Sequence, residues 1–406
     1  MKRSRTTRSF LALAASASLV LAACGSDAAE TIDDAADQVE EAAGDVADEA
    51  GDVADDVADE AGDVADEVEE EVTDDTEAPA ETEAPAETEA PADTEAPAST
   101  DAAADDVDRE GWPESLVFTL TPSQETGGLI ETAQPLADML SERLGIEVEA
   151  LVPTDYSGVI VALESGQAQI AGGLGPRQMV QAEEQAGAEL VLQAERFGSL
   201  LYVTQWFTND PDTYCDDAPV ADEDGFLSCN GVGDAESAAD GPIGADKLAL
   251  LEGKTVSFVD QGSTSGYAIP ALQLVDAGID PIDGIDGLFA GGHDGSVQAV
   301  YDGDAEVGVS FNDARGTIEE TSPDVGEQVV VFGWSGPIPN DGFAVAGDLP
   351  DSLVEAITAA FVDIAATEDG ATVLDELYEI DGLVPVDSAD FDVIRDLEVK
   401  LGDVLE

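Results

Sequence analysis

The sequence contains very few cations. Its 406 residues include 13 Lys and Arg against 92 Asp and Glu, and the formal net charge at pH 7 is -79. A protein that binds nucleic acid or an anionic membrane surface needs a basic patch to displace the counterions of the phosphates. The chain has no such patch, so we expect neither nucleic acid nor anionic lipid headgroups as partners.

Histidine and cysteine are also scarce, with one His and three Cys in the chain. These are too few for a clustered transition-metal centre, so no metal and no cofactor is expected. No Gly-Lys-Ser/Thr completes the spacing of a Walker loop. The stretch 262–266 approaches the G-x-S-x-G nucleophile elbow but has Thr264 at its centre. We therefore predict that the protein is not an enzyme.

The N-terminus reads as an export signal. A basic start is followed by an apolar run, residues 10–22, that is too short to span a bilayer stably. The stretch Leu21-Ala22-Ala23-Cys24 then resembles the bacterial lipobox, in which the cysteine becomes the lipidated mature N-terminus. The prediction is a signal peptide at residues 1–23 and a lipid on Cys24 that anchors the exported protein to the outer face of the cell membrane.

With Cys24 set aside for lipid, Cys215 and Cys229 are left as a pair. An exported location permits a disulfide between them. The chain-entropy model gives such a short loop a stabilisation of about 3 kcal/mol. Two free thiols are the alternative.

Residues 24–110 have a low-complexity, acidic composition. Gly-Asp-Val-Ala-Asp-Glu-Ala units occupy residues 44–67, and Thr-Glu-Ala-Pro-Ala repeats follow up to Pro97. An eleven-residue spacing of valines would suit a helical stripe, but self-repulsion of the acidic side chains favours disorder. The proline repeats should be extended and fairly stiff. We interpret residues 24–110 as a disordered tether that holds a globular unit away from the membrane.

From Trp112 onward the composition is that of a folded domain. Short apolar runs predict strands at 116–120, 146–152, 169–172, 190–193, 200–207, 255–259, 288–290, 307–311 and 329–334. Amphipathic spacing predicts helices at 135–144, 156–163, 176–184, 268–277 and 296–301, and a further helix that contains Leu353, Ile357, Phe361 and Ile364. This alternation indicates an α/β fold with mainly parallel sheets flanked by helices. Residues 208–246 interrupt it and are interpreted as a surface insertion.

Polar side chains stand at strand ends, where open α/β sheets bind their ligands. They are Ser263, Thr264 and Ser265 after one strand, His293 and Asp313 after two others, and Asp341 before Phe343. Residues 263–265 lie where a strand leads into a helix, whose unpaired N–H groups and dipole can hold an oxyanion without Arg or Lys. The alternatives are an ordinary N-cap, a structural histidine and surface aspartates.

Four stretches carry a resemblance to a known family: 154–160, 262–267, 290–294 and 337–341. Together, across most of residues 114–400, they resemble the substrate-binding proteins of phosphonate, phosphite and phosphate ABC importers. The resemblance implies a two-lobed fold of the periplasmic-binding-protein type (type II), whose lobes are joined by crossover strands and close on the ligand by a hinge. Lobe 1 would comprise residues 111–200 and 342–406, and lobe 2 residues 201–341.

The resemblance also implies roles for the candidate residues. It assigns the oxyanion to Ser263, Thr264, Ser265 and His293, the opposite wall of the cleft to Tyr156, and the far end of the ligand to Asp313 and Asp341. Tyr202 is a weaker candidate for an aromatic position in the cleft. The expected partners are a phosphonate or phosphite ligand and a membrane permease, and the expected oligomeric state is a monomer.

Two carboxylates beside a bound anion constrain its chemistry. They repel the anion unless the ligand carries an ammonium or a P–OH group between them. An aminoalkylphosphonate, an alkylphosphonate or phosphite is therefore predicted ahead of fully ionised phosphate. Two alternatives stay open: a phosphate-binding protein of the same fold, and a structural acidic surface lipoprotein without a small ligand.

Overall fold

The computed structural model describes residues 109–124 and 126–405. The predicted signal peptide, the lipidation site Cys24 and the tether up to residue 108 lie outside the described residues. None of the helices in these two ranges combines the length and the apolar character that crossing a bilayer requires.

The strands alternate with helices along most of the chain. The strands up to residue 228 are β1 Ser115–Leu120, β2 Glu147–Leu151, β3 Ile170–Leu174, β4 Glu189–Glu195, β5 Leu201–Tyr202, β6 Thr204–Thr208, β7 Val220–Ala221 and β8 Leu227–Ser228. The later strands are β9 Thr255–Phe258, β10 Asp286–Phe289, β11 Val307–Phe311, β12 Val330–Trp334, β13 Ile338–Pro339, β14 Gly342–Val345 and β15 Gly382–Pro385.

The longer α-helices are Thr126–Leu144, Tyr156–Glu164, Pro176–Glu184, Ile269–Asp276, His293–Tyr301, Asp351–Ala365, Glu368–Tyr378 and Asp392–Leu405. Single α-turns occur at Pro211–Tyr214 and Val325–Gln328, and a π-helical turn at Thr264–Ala268. Turns of 3-10 helix occur at Val232–Asp234, Ala238–Asp240, Ala245–Leu251, Ala314–Ile318 and Ser388–Phe391.

Two large sheets form the centres of two lobes. The sheet of lobe 1 has the order β15-β4-β14-β3-β1-β2, and the sheet of lobe 2 has the order β10-β9-β11-β6-β12-β8-β7. The short strands β5 and β13 pair with each other where the chain passes between the lobes. The predicted two-lobed α/β fold is confirmed, while the lobe boundaries at residues 200 and 341 stay a prediction.

Each sheet is mixed, which corrects the expectation of mainly parallel sheets. In lobe 1, β1 is parallel to β2 and β3, but β14 is antiparallel to β3 and β4. In lobe 2, β9 is parallel to β10 and β11, but β6 is antiparallel to β11 and β12. The strands β6 and β14 are the first sheet strands after each passage between lobes. Parallel neighbours need a crossover connection, usually a helix, that returns the chain to the end of the sheet where the previous strand began. No such connection precedes β6 or β14 within its lobe, so these strands run antiparallel to their neighbours.

Three phenylalanine rings pack together in the core of lobe 1. Phe118 on β1 and Phe343 on β14 pack against Phe361 of the helix Asp351–Ala365, with ring centroids 5.7 and 4.8 Å from that of Phe361. All three side chains are buried, and burial of a side chain of this kind stabilises the fold by roughly 1.5 to 3 kcal/mol. The helical stripe predicted through Leu353, Ile357, Phe361 and Ile364 is confirmed, since these residues are fully buried.

The helix predicted to start at Pro135 starts at Thr126 instead. Proline lacks the N–H that a helix interior uses, so sequence patterns place it at a helix start. Here Pro135 is exposed. The carbonyl four residues before it lacks its intrahelical hydrogen bond and can bind water instead. The helix is held by its buried stripe, which includes Leu129 and Ala133 on the earlier turns.

The segment 208–246 is more than a surface insertion. It contributes β7 and β8 to the edge of the lobe 2 sheet, where β8 pairs with β12. Its Tyr214 is buried and stacks on Phe332 with ring centroids 5.0 Å apart. A disulfide joins Cys215 and Cys229, whose Cα atoms are 5.7 Å apart. The cysteine pair thus closes a loop that is part of the sheet edge.

Replacing both Cys215 and Cys229 by Ala should lower the free energy of unfolding by about 3 kcal/mol, because the unfolded chain regains the entropy of the closed loop. Urea unfolding of the oxidised protein and of the double variant measures the difference. Reduction of the unmodified protein should produce a similar loss. Equal stability of the oxidised, reduced and substituted forms would contradict the assignment.

Candidate ligand-binding site

The hydroxyl-rich stretch lies between β9 and the helix Ile269–Asp276, as the sequence predicted. The chain enters this helix through the π turn Thr264–Ala268, in which Ser263 Oγ accepts a hydrogen bond of 3.0 Å from the Gly266 N–H. The sequence did not indicate the π turn, a feature often found at functional sites. At Gly262 a Cβ atom would lie 2.8 Å from Cβ of Tyr156, so glycine is what lets this loop approach lobe 1.

Backbone N–H groups orient two of the three hydroxyls. Besides the bond to Ser263, Thr264 Oγ1 accepts a 3.0 Å hydrogen bond from the N–H of Arg177 in lobe 1. A hydroxyl that accepts such a bond still has one proton to donate. Ser263, Thr264 and Ser265 are all buried and line one cavity. The protons of Ser263 and Thr264 are not used in these backbone bonds and are therefore available to a ligand in that cavity.

The cavity lies between the lobes and is small, about 30 Å³, so it suits a group of a few heavy atoms. Lobe 2 contributes Ser263, Thr264, Ser265, His293 and Phe311. The remaining lining residues are Thr121, Ser123, Gln124, Tyr156, Gly173, Gly175, Arg196, Tyr202, Asp341 and Tyr378. The structure thus brings together all the sequence-predicted ligand residues except Asp313, and it includes Tyr202.

Two tyrosine side chains, Tyr156 and Tyr378, line the cavity from lobe 1. The Tyr156 hydroxyl is buried near the Ser263 hydroxyl and forms no hydrogen bond of normal length with the described residues. Burial, followed by the nearby Asp341, raises the pKa of Tyr156 well above its usual value, so this hydroxyl keeps its proton. The Tyr378 hydroxyl donates to the Thr121 carbonyl at 2.8 Å. Gly173 has φ +62°, and a Cβ there would lie 2.4 Å from the Tyr378 ring, so this position requires glycine.

His293 is the first residue of the helix His293–Tyr301, three residues before the predicted helix start. Its backbone N–H donates to the Ser123 carbonyl of lobe 1 at 2.8 Å. Burial, and then the charge of Arg196, lowers the pKa of His293 to about 3, so the ring is neutral at physiological pH. Nδ1 is 2.7 Å from Ser310 Oγ. This contact leaves Nε2 for the cavity, and Nε2 is a donor when Nδ1 accepts from the serine.

The two predicted aspartates occupy different environments. Asp341 is half-buried in the cavity wall. Burial raises the pKa of its carboxyl, although Arg196 opposes that effect. Asp313 does not line the cavity, and its carboxylate oxygens lie 2.9 and 3.1 Å from Nε of Arg315. The expected pair of carboxylates around the far end of the ligand is therefore not formed, because Arg315, two residues further on, neutralises Asp313.

Arg196 is a cavity residue that sequence reasoning missed. Its guanidinium is buried, forms an ion pair with Glu379 and lies 4.9 Å from the centroid of Phe311. Its Nε has no hydrogen-bond partner in the part of the chain that the structure describes. The expectation of a site without arginine is therefore corrected. The sequence did contain an indication of this residue, because Arg196 comes just after the predicted strand 190–193 in a chain with few cations.

Tyr378 was also missed, because it reaches the cavity from the C-terminal end of a helix, far along the chain from the other motifs.

As for metals, residues 109–124 and 126–405 contain no group of three or more His, Cys, Asp or Glu side chains placed to hold an ion.

Comparison with known proteins places the chain in a family. The family model for the periplasmic substrate-binding protein of phosphonate ABC transporters matches residues 118–391. The phosphate-import protein PhnD of Mycolicibacterium smegmatis is 27% identical over 307 residues, a match that covers 70% of this chain and 85% of that protein.

Solved structures show the same fold. PhnD1 from Prochlorococcus marinus, in complex with methylphosphonate, has a TM-score of 0.59 at 16% identity, over 71% of this chain and 99% of that one. A binding protein component of an ABC phosphonate transporter from Pseudomonas aeruginosa has a TM-score of 0.58 at 20% identity, over 71% and 86% of the two chains. Since the family model spans more than half of the sequence, the chain belongs to the periplasmic substrate-binding proteins of phosphonate ABC transporters.

Proposed function

We propose that this protein binds a phosphonate-type phosphorus oxyanion in the cavity between lobes 1 and 2 and delivers it to the membrane permease of an ABC importer. The observation that carries this proposal is the set of buried hydroxyl donors at residues 263–265 on the wall of a small cavity. The role is non-catalytic, and binding and release follow closing and opening of the lobes.

The donors suit a tetrahedral group with several oxygens. Ser263, Thr264 and Ser265 approach it from lobe 2 together with Nε2 of His293, and the Tyr156 hydroxyl approaches it from lobe 1. Hydrogen bonds to an ionised oxygen are about twice as strong as those between neutral groups. Among the described residues that line the cavity, Arg196 carries the one positive charge, and the rest of the binding comes from oriented dipoles.

The charge of the cavity selects the protonation state of the ligand. Asp341 is the one predicted carboxylate in the lining, because Asp313 is engaged by Arg315. A ligand with a P–OH group can donate that proton to Asp341, whereas a fully ionised ligand would face its charge. A monoprotonated alkylphosphonate or phosphite therefore suits this cavity better than an aminoalkylphosphonate, whose ammonium was expected to lie between two carboxylates.

Phosphate is the second candidate, because the relative from Mycolicibacterium smegmatis is named for phosphate import. Its monoanion also carries P–OH groups. The rings of Phe311 and Tyr202 in the lining favour a ligand with one carbon substituent over one with four oxygens.

We further propose that the protein is a monomer held at the outer face of the membrane by lipid on Cys24.

Replacing Ser265 by Ala should weaken binding of methylphosphonate about tenfold to a hundredfold, because one donor to an ionised oxygen is lost. Titration calorimetry measures the change. Ser257→Ala is the matched control: Ser257 is a fully buried serine on β9 that does not line the cavity, and its removal should leave the affinity unchanged. Unchanged affinity in the Ser265→Ala protein would reject the site.

The affinity for methylphosphonate, phosphite and phosphate should fall as the pH rises from about 5 to 8. His293, with a pKa of about 3, stays neutral over this range, so the fall comes from loss of the proton shared by the ligand and Asp341. Asp341→Asn should flatten the dependence, because its neutral amide does not repel the dianion. Calorimetry across this range tests both points. Equal slopes in the unmodified protein and the Asp341→Asn protein would contradict the shared proton. If phosphate bound more tightly than methylphosphonate and phosphite, phosphate would be assigned as the ligand in place of phosphonate.

The lipid anchor has its own test. Cys24→Ala should move the protein from the membrane fraction to the soluble extracytoplasmic fraction, because the thiol that would carry the lipid is lost. Immunoblots of fractionated cells show this directly. An unchanged membrane fraction would mean that another part of the chain holds the protein there.

A further inference from the structure

The C-terminal helix, Asp392–Leu405, packs on both lobes. It follows β15, an edge strand of the lobe 1 sheet, along the chain. It contacts the helix Pro176–Glu184 of lobe 1 and the helix Ile269–Asp276 of lobe 2. The chain passes between the lobes elsewhere, at the paired strands β5 and β13. The C-terminal helix therefore joins the lobes by contact alone, and a movement of one lobe relative to the other must separate it from one of them.

A polar network fixes the start of this helix to lobe 1. The Arg395 guanidinium donates to the Ser388 carbonyl at 2.8 Å and forms an ion pair with Glu183 on the helix Pro176–Glu184. The Ser388 hydroxyl donates to the same Glu183 carboxylate at 3.0 Å. Hydrogen bonds to charged groups are stronger and more directional than apolar contacts, so the network holds the first turns of the helix in one position on lobe 1.

The contact with lobe 2 is apolar. Leu397 and Leu401 lie one helical turn apart on the same face and form a cluster with Ala268 and Ala271. The two leucines are 7% and 2% exposed. Ala268 is the last residue of the π turn that begins at Thr264. Contacts of this type involve no directional bond, and separation of the lobes here would return both leucines to water.

Arg177 of lobe 1 adds a polar link between the C-terminal helix and lobe 2. Its buried guanidinium forms an ion pair with Glu398 and donates to the Gln261 carbonyl in the loop before Ser263. Its backbone N–H donates to Thr264 Oγ1 at 3.0 Å. One residue thus holds together the C-terminal helix and the hydroxyl-bearing loop of lobe 2.

Entry of a ligand into the closed cavity requires the lobes to separate. The cavity of about 30 Å³ is lined from both lobes, and Ser263, Thr264 and Ser265 in its wall are buried. A ligand of several heavy atoms reaches these side chains only when the lobes move apart. The C-terminal helix must then leave one lobe. Because the polar network holds it to lobe 1, the leucine contact with lobe 2 is the one that separates.

We propose that the C-terminal helix stays with lobe 1 and that Leu397, Leu401 and Arg177 engage lobe 2 in the closed form, so that these three residues set the affinity for the ligand from outside the cavity. They are positioning residues, since none of the three lines the cavity. The inference rests on the proposed function and deepens it. The apparent affinity depends on how readily the closed form is populated, so each contact that favours closing raises it.

Calorimetry of the full exported chain tests the proposal with methylphosphonate, phosphite and phosphate. Leu401→Ala should weaken every ligand that binds by one common factor of about fivefold to twentyfold, because closing then buries less apolar surface. The ratios between the ligands should not change, since Leu401 touches none of them. A leucine with a purely structural role would lower the thermal stability and leave the affinities as they are.

The matched control is Leu140→Ala. Leu140 is a fully buried leucine in the core of lobe 1, so its truncation should lower the stability by at least as much as Leu401→Ala and leave the affinities unchanged. Arg177→Gln is a second test if the Leu401 variant misfolds. It removes the ion pair with Glu398 and keeps the backbone N–H that bonds Thr264, and it too should weaken all the ligands by a common factor.

Hydrogen exchange locates the movement. Saturation of the unmodified protein with methylphosphonate should slow the exchange of backbone amides at residues 397–401, because closing holds this part of the helix against lobe 2. The amides of Leu140 and its neighbours in lobe 1 should exchange at the same rate with and without ligand.

The possible failures are distinguishable. Unchanged affinities in the Leu401→Ala and Arg177→Gln proteins would mean that the helix moves with lobe 2 or does not separate at all, and would overturn this inference while methylphosphonate still binds. A loss that differs between the ligands would overturn it too, because it would place the effect inside the cavity. Failure of methylphosphonate, phosphite and phosphate to bind the unmodified protein would overturn the proposed function and this inference with it.

Discussion

Holding an anion inside a strongly acidic protein is the constraint on which the proposed site depends. The chain has a net charge of -79, and the field of such a protein opposes the approach of an anion, although salt screens it beyond about 10 Å. The binding energy must therefore come from groups in direct contact with the ligand. In the proposed site, Ser263 and Thr264 are suited to this need because backbone N–H groups occupy their oxygens and leave their protons to donate.

The same constraint explains the charges within the cavity. Arg196 is buried beside Glu379, which limits the net charge that the pair adds and holds the guanidinium in place. Burial raises the pKa of Asp341 and of the tyrosines and lowers that of His293. All of these shifts favour neutral forms, so the cavity acts as an array of hydrogen-bond donors with one acidic group that can share a proton.

Contacts between the lobes complete this array. The N–H of His293 reaches the Ser123 carbonyl, and the N–H of Arg177 reaches Thr264. The Arg177 side chain bonds the Gln261 carbonyl and pairs with Glu398 on the C-terminal helix Asp392–Leu405. Leu397 and Leu401 of that helix pack on Ala268 and Ala271 in lobe 2. The orientation of a hydroxyl that lines the cavity is thus coupled to the relative position of the lobes, as the proposed closing of the lobes on a ligand requires.

Local patterns in the sequence determined the alternation of strands and helices, the N-cap at Asp155, whose carboxylate accepts from the Gly158 N–H, and the junction at residues 263–265. These features depend on periodicity, turn chemistry and hydrogen bonds between near neighbours, all of which the sequence displays. The tertiary structure decided which strand ends meet. It brought Arg196, Tyr378 and Asp341 to one cavity and ran β6 and β14 antiparallel to their neighbours. Both outcomes depend on where the chain crosses between the lobes, which the spacing of residues along one segment does not encode.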